Sequence, residues 1–192
     1  MIRLASASPR RRELLRQIGV PHVIIHADID ESALAGEAPL QAVQRIARAK
    51  AEAVWTRDSS LPVLAADTTV VLDGLMFGKP RDREHAIEML TRLSGRTHEV
   101  LTAVALATPG AIELRMSVSA VKFRVLSAEE CAAYWDTGEP RDKAGAYAIQ
   151  GLAAVFIESL SGSYSGVMGL PLHETAQLLR SAGLPLWCKM PE

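Results

Sequence analysis

Two turn signals, Asp73-Gly74 and Pro109-Gly110, interrupt what otherwise reads as an alternation of strands and helices. Asp-Gly between apolar runs is a strong two-residue hairpin signal, because the favoured hairpin turns need positive φ at their central positions. It lies in "TTVVLDGLMFGKP", just after the buried-looking strand "PVLAAD", and Pro109-Gly110 joins long strands over 97–107 and 111–126. Hairpins make antiparallel neighbours, which argues against the regular parallel sheet that pure alternation would suggest. The expectation is an α/β chain with a mixed, largely curved sheet flanked by helices.

The other elements follow from local chemistry. "IRLA" reads as a strand feeding a helix at Ser8-Pro9, with Ser8 the N-cap and Pro9 at the first helical position. Leu14, Leu15 and Ile18 supply its apolar stripe, and Gly19 stops it. "HVIIHA" (22–27) is a second strand. A helix over 39–55 places Leu40, Val43, Ile46, Ala47 and Val54 near one face. Asp82 caps the next helix, and Ser127 with Glu130 makes a capping box for another. "LAAVFIES" reads as a strand, and Pro171 opens a last helix.

Composition narrows the function classes. A net charge of −1 in 192 residues lacks the broad basic surface of a general nucleic-acid or anionic-membrane binder. Aromatic residues make up only 5%, too few for interleaved base stacking. Two cysteines without CxxC spacing fit a reduced compartment and argue against a zinc site. No apolar run approaches membrane-spanning length and no signal peptide is visible, so the expectation is one cytoplasmic domain over 1–192.

The chemistry-bearing residues begin with Arg10, Arg11 and Arg12. Cations at a helix N-terminus oppose the local N–H groups and dipole. They become tolerable if an anion is delivered there, where backbone N–H groups and guanidinium forks converge on the same oxygens. Position in a strand-to-helix turn moves the reading from a solvated basic face toward an anion site. Asp67 sits where a strand should be buried, so it is either paired in a salt bridge or acts as a base or metal ligand. Lys50, Lys79 and Lys143 are each, taken alone, more often surface residues than ligands. The "DIDES" stretch, with Asp28, Asp30 and Glu31, is either an acidic loop or a partial divalent-cation site. Gln150 alone reads as a polar turn residue, although its amide also matches the N3–H and O4 edge of uracil or thymine.

Taken together, "LASASPRRRELL", "ARAKA", "AADTTVVLDG", "FGKPRD", "LSGRTHEVLTAVAL", "DKAGAYAIQG" and "GSYSGVMGLPL" resemble the Maf family of nucleotide pyrophosphatases, in order and over nearly the whole chain. The resemblance implies an elongated, strongly bent mixed sheet with a cleft between two lobes, similar to the inosine-triphosphate pyrophosphatases, and commonly a homodimer. It implies hydrolysis of nucleoside triphosphates to the monophosphate and pyrophosphate with a divalent cation, magnesium or manganese. Carried over residue by residue, Asp67 would accept the proton of the attacking water, and Glu31 with Asp67 would hold the metal. Lys50 and Lys79 would neutralise phosphoryl charge, and Ser8, Arg10, Arg11, Thr68, Lys143 and Gln150 would bind substrate. One branch of the family resembles enzymes for dTTP and UTP, extending to CTP or modified pyrimidine nucleotides, and another resembles enzymes for 7-methyl-GTP. Arg10, Thr68 and Gln150 stand where the methyl-GTP branch tends to have Trp, Gln and Glu, and so point to the dTTP/UTP branch. A non-hydrolysing nucleotide-binding regulator of septum formation is the reading from another class.

Overall fold

The computed structural model describes residues 1–188. Seven strands form one mixed sheet in the order β2-β1-β3-β5-β6-β7, with β4 also paired to β3. They are β1 (Ile2–Ala5), β2 (His22–Ile25), β3 (Val63–Leu72), β4 (Leu75–Phe77), β5 (Thr97–Thr108), β6 (Ala111–Phe123) and β7 (Ile157–Ser161). The helices are α1 (Pro9–Gln17), α2 (Pro39–Arg57), α3 (Arg83–Leu93), α4 (Ala128–Asp136), α5 (Tyr164–Met168) and α6 (Leu172–Ser181). β1 runs parallel to β2 and β3, and the pairs from β3 onward are antiparallel.

The alternation of β3 decides what packs on each face. Val63 and Ala65 join Ala103 and Ala105 under α2, where Val43, Ala47, Ala51 and Val54 cover them. The short alanines on that face let the helix lie close to the sheet. Leu64 and Ala66 point the other way, against Leu14 and Leu15 of α1 and Leu178 and Leu179 of α6. Beyond the middle of β3, Val70 and Leu72 enter a third cluster with α3, α4 and Phe123, Tyr147 and Phe156. Each fully buried leucine in these clusters contributes roughly 1.5–3 kcal/mol. Asp67 and Thr68 are the only residues of β3 not fully buried.

That interruption coincides with a gap in the sheet. β1 pairs with β3 only through Arg3↔Val63 and Leu4↔Leu64, and β4 joins the same edge at Val70. Among the described residues, positions 65–69 have no strand partner on that edge. The chain leaves β1 through α1 on one face and returns from β2 through α2 on the other, so strand order reverses about β1. Such switch points, at the carboxyl ends of parallel strands, are where open α/β sheets form ligand crevices.

The two hairpins form as expected, with Asp73 and Gly74 both at positive φ. The Ser127–Glu130 capping box is complete, and Asp82 accepts from His85 N. Four details differ from the sequence reading. Ser8 occupies the N-cap of α1 but makes no side-chain cap bond; its own N–H donates to Ser6 Oγ. Leu40 is exposed, because the docked face of α2 runs through Ala42, Val43, Ile46 and Ala47. "LAAVFIES" divides into a 3-10 turn, Leu152–Phe156, and the strand β7. Gly151 and Glu139 start that turn, as described below. Helix α5 is too short to leave a periodic stripe; Ser163 caps it and Gly169, at φ 116°, ends it.

Candidate active site

A cleft of about 880 Å³ opens at the gap in the sheet, and every residue carried over above lines it. Ser8 reaches it from the turn between β1 and α1, Arg10 and Arg11 from the first turn of α1, Glu31 from the acidic loop and Lys50 from α2. Asp67 and Thr68 come from β3, Lys79 from the loop after β4, and Lys143 and Gln150 from the segment between α4 and β7. Arg12, by contrast, is exposed outside the cleft, as are Asp28 and Asp30. Five Lys and Arg side chains face three carboxylates there.

Asp67 projects toward α2. Its Oδ1 accepts from Lys50 Nζ at 2.9 Å, and the same ammonium donates to Glu31 Oε2 at 2.7 Å. Lys50 continues the buried stripe of α2, one turn after Ile46 and Ala47, and its side chain is only 8% exposed. A cation at that depth requires anionic partners, and the fold supplies two. Glu31 is brought over by its loop, which Arg45 clamps: Nε and Nη2 grip the Glu37 carboxylate at 2.7 and 2.8 Å, and Nη2 also donates to Ser32 O. The Arg45 bond pulls the Glu37 carboxyl down to about 2.

Thr68, next in the strand, projects to the opposite face, toward α1 and α5. Arg11 is held there by neutral acceptors. Nε donates to Gly169 O at 2.7 Å, Nη1 to Ser6 Oγ at 3.3 Å and Nη2 to Thr68 Oγ1 at 3.3 Å. A guanidinium has five N–H donors, so one on each terminal nitrogen remains for a ligand. Burial pushes Arg11 below its ordinary value while the Asp67 charge opposes the shift. Ser6 Oγ already accepts from Arg11 and from Ser8 N, which leaves its own proton to donate. Arg10 lies 3.5 Å from Asp142, which also pairs with Lys143. Burial would raise the Asp142 carboxyl, but the Lys143 bond and the charges of Lys143 and Arg10 outweigh it and hold it low.

The far wall is fixed by close backbone approach. Gly145 N donates to Gly78 O at 3.0 Å, tying the Lys143 segment to the Lys79 loop. Gly145 sits at φ 69°, and a Cβ there would lie 2.9 Å from Val70 Cγ2. Glu139 anchors the turn that presents Gln150: it accepts from Tyr134 Oη at 2.7 Å and Leu152 N at 3.0 Å. A Cβ on Gly151 would stand 2.1 Å from that carboxylate, so only glycine fits. Tyr147 lines the cleft and bonds buried His98 Nε2 at 2.8 Å.

Among the described residues no three His, Cys, Asp or Glu converge as a metal cluster. The protein therefore offers a cation two carboxylates, Glu31 and Asp67, which already converge on one ammonium. That donor set suits a hard divalent ion completed by phosphate oxygens and water. Ser6, Arg45 and Glu139 escaped the sequence reading. Ser6 had a signal, since it shares the strand-to-helix turn with Ser8. Arg45 and Glu139 had none, because their partners are assembled only by the fold.

Known proteins resemble this chain over nearly its whole length. The Maf-like protein family matches residues 1–182. The dTTP/UTP pyrophosphatase of Methylococcus capsulatus is 56% identical over 94% of this chain and 90% of its own. Those of Methylobacillus flagellatus and Nitrosomonas europaea are 55% and 53% identical, over 96% and 97% of this chain and 94% and 96% of theirs. The chain belongs to the Maf family.

Proposed function

We propose that the chain, acting as one domain over 1–192, hydrolyses dTTP and UTP, and by extension related pyrimidine nucleotides, to the monophosphate and pyrophosphate. The observation that carries the reading is one strand offering a paired carboxylate, Asp67, beside a guanidinium, Arg11, that keeps two donors for an anion. The near full-length relatives carry that activity in their names.

In the reaction, Arg10 and Arg11 grip the triphosphate, with Ser6 and Ser8 beside them at the helix start. Asp67 accepts a proton from the attacking water, and the bond between the α- and β-phosphates breaks to release pyrophosphate. Lys50 holds Asp67 in place, and Lys79 and Lys143 add positive charge where phosphoryl oxygens gain negative charge. Gln150 presents a donor and an acceptor from one amide, which matches the edge of an uncharged pyrimidine. Glu31 and Asp67 would hold the divalent cation, magnesium or manganese, which supplies charge neutralisation on the phosphates when bound. The same reading puts the enzyme in the cytoplasm with its nucleotides and gives it a second copy of this chain as partner.

The test is pyrophosphate release from dTTP, UTP, CTP, GTP, 7-methyl-GTP and ITP, with Arg10→Ala/Arg11→Ala measured beside the unaltered protein. Release is expected from dTTP and UTP. The double variant should raise KM by about a hundredfold, since each lost charged hydrogen bond costs roughly 1.5–3 kcal/mol. Release from 7-methyl-GTP alone, or binding without release, contradicts the reading, and an unchanged KM contradicts the role of the arginines.

A further inference from the structure

Thr102 of β5 lies directly opposite Thr68 of β3 and is fully buried. Its hydroxyl donates to Gly166 O of α5 at 2.8 Å. A carbonyl can only accept, so the single Thr102 proton is committed there. Thr68 Oγ1 lies 3.0 Å from Thr102 Oγ1, and with the Thr102 proton already used, Thr68 must be the donor of that bond. Thr68 then faces the cleft with lone pairs alone, and Arg11 Nη2 donates to it at 3.3 Å. The chain of bonds therefore has one direction, from Arg11 through Thr68 and Thr102 to Gly166 O. Thr102 is 0% exposed, so bulk solvent offers its hydroxyl no other partner and the burial enforces the direction.

We propose that Thr102 is a positioning residue for the hydrolysis, because it fixes the Thr68 proton inward and so makes Thr68 an acceptor for Arg11 rather than a donor to substrate. The inference rests on Arg11 being a triphosphate ligand. It assigns Thr68 a role through Arg11: a hydroxyl that presents only lone pairs is a poor direct partner for a phosphate oxygen. Ser6 is its opposite, since it accepts from two N–H groups and keeps a proton for the ligand. The Gly166 carbonyl at the end of the chain also ties α5, whose following Gly169 O accepts from Arg11 Nε, to the same sheet position.

The experiment is steady-state hydrolysis of dTTP by Thr102→Val, Thr102→Ser, Thr68→Val, the Thr68→Val/Thr102→Val double variant and Arg11→Ala. Thr102→Val should raise KM about tenfold, the scale of one hydrogen bond to a charged group, with kcat changed less than about threefold. Thr102→Ser, which keeps the hydroxyl, should restore KM. In the Thr68→Val background the Thr102→Val change should add nothing to KM, because the relay is already cut. Should Thr102→Val fail to fold, Thr68→Val carries the same tenfold expectation from the partly exposed end of the relay. An unchanged KM in Thr102→Val or Thr68→Val, an independent effect in the double variant, or a serine variant as impaired as valine overturns the relay. An unchanged KM in Arg11→Ala overturns the role of Arg11 as well, which separates the two failures.

Discussion

Asp67 and Thr68 are neighbours in one strand, yet they face two differently built environments. On the Asp67 side, charge is held by charge: an ammonium from α2 bridges two carboxylates. On the Thr68 side, the Arg11 cation is held by a carbonyl and two hydroxyls, with no carboxylate among the described residues bonded to it. The strand pleat creates the difference, since successive residues point to opposite faces. It teaches how one cleft keeps a base and an anion receptor together. A carboxylate bonded directly to Arg11 would take the donors that a phosphate needs. Neutral acceptors orient the guanidinium and leave its charge available.

Removing the bridging cation should break the Asp67 side most severely. Lys50→Met leaves Asp67 and Glu31 facing each other without a counter-charge, which should cost about 3 kcal/mol of stability, the scale for losing one partner of a largely buried pair. Lys50→Met/Asp67→Asn should regain most of that stability and none of the activity. Thermal unfolding of both variants checks this, and equal destabilisation in the two would show that the charges are not coupled.

A slightly smaller effect is expected on the neutral side when it is forced to carry charge. His98 lies on the face of β5 that Thr102 shares, is 2% exposed, and is held down at about 4 by burial. Its folded value lies below the 6.5 of the unfolded chain. The unfolded state therefore takes up the proton first, and stability from this group is flat above pH 6.5 and falls as pH drops toward 4. The full loss is about 3 kcal/mol at most. Urea unfolding between pH 7.5 and 4 should show the slope, and His98→Gln should flatten it. A slope that persists in the variant would place the titration elsewhere.

The smallest effect should come from the loop that delivers Glu31. Arg45→Ala releases the Glu37 and Ser32 contacts and should lower activity about fivefold, with stability falling by about 1.5 kcal/mol, because the Glu37 carboxylate, only 9% exposed, loses its charged donor. Excess divalent cation should recover part of that activity if Glu31 is a metal ligand. Recovery independent of cation concentration would make the loop a packing element only.

Much of this arrangement is legible in the amino-acid sequence. Asp73-Gly74 and the Ser127–Glu130 box fixed a hairpin and a helix start because each is set by residues a few positions apart. The line of arginines, lysines and Asp67 was visible as motifs, and all of those residues except Arg12 meet at one cleft. What local reading missed depends on distant pairing. Nothing near Thr102 marks it as Thr68's partner, because the register of β3 on β5 joins positions 34 residues apart. The exposed Leu40 shows the same limit: helical spacing proposes a stripe, and only docking on the alanine face of the sheet sets its phase. "LAAVFIES" looked strand-like throughout, but Glu139 captures the backbone N–H groups of Leu152 and Ala153 and turns its first half into a 3-10 helix.

The most direct test of the contrast between the two sides is a side-by-side kinetic comparison of Asp67→Asn and Thr68→Val on dTTP. Asp67→Asn should lower kcat by about a thousandfold, within the range for losing a general base, and leave KM within about threefold. Thr68→Val should do the reverse, raising KM about tenfold with kcat nearly unchanged. The same split in both variants would contradict the division of the cleft into a charged side that performs the chemistry and a neutral side that holds the phosphate receptor.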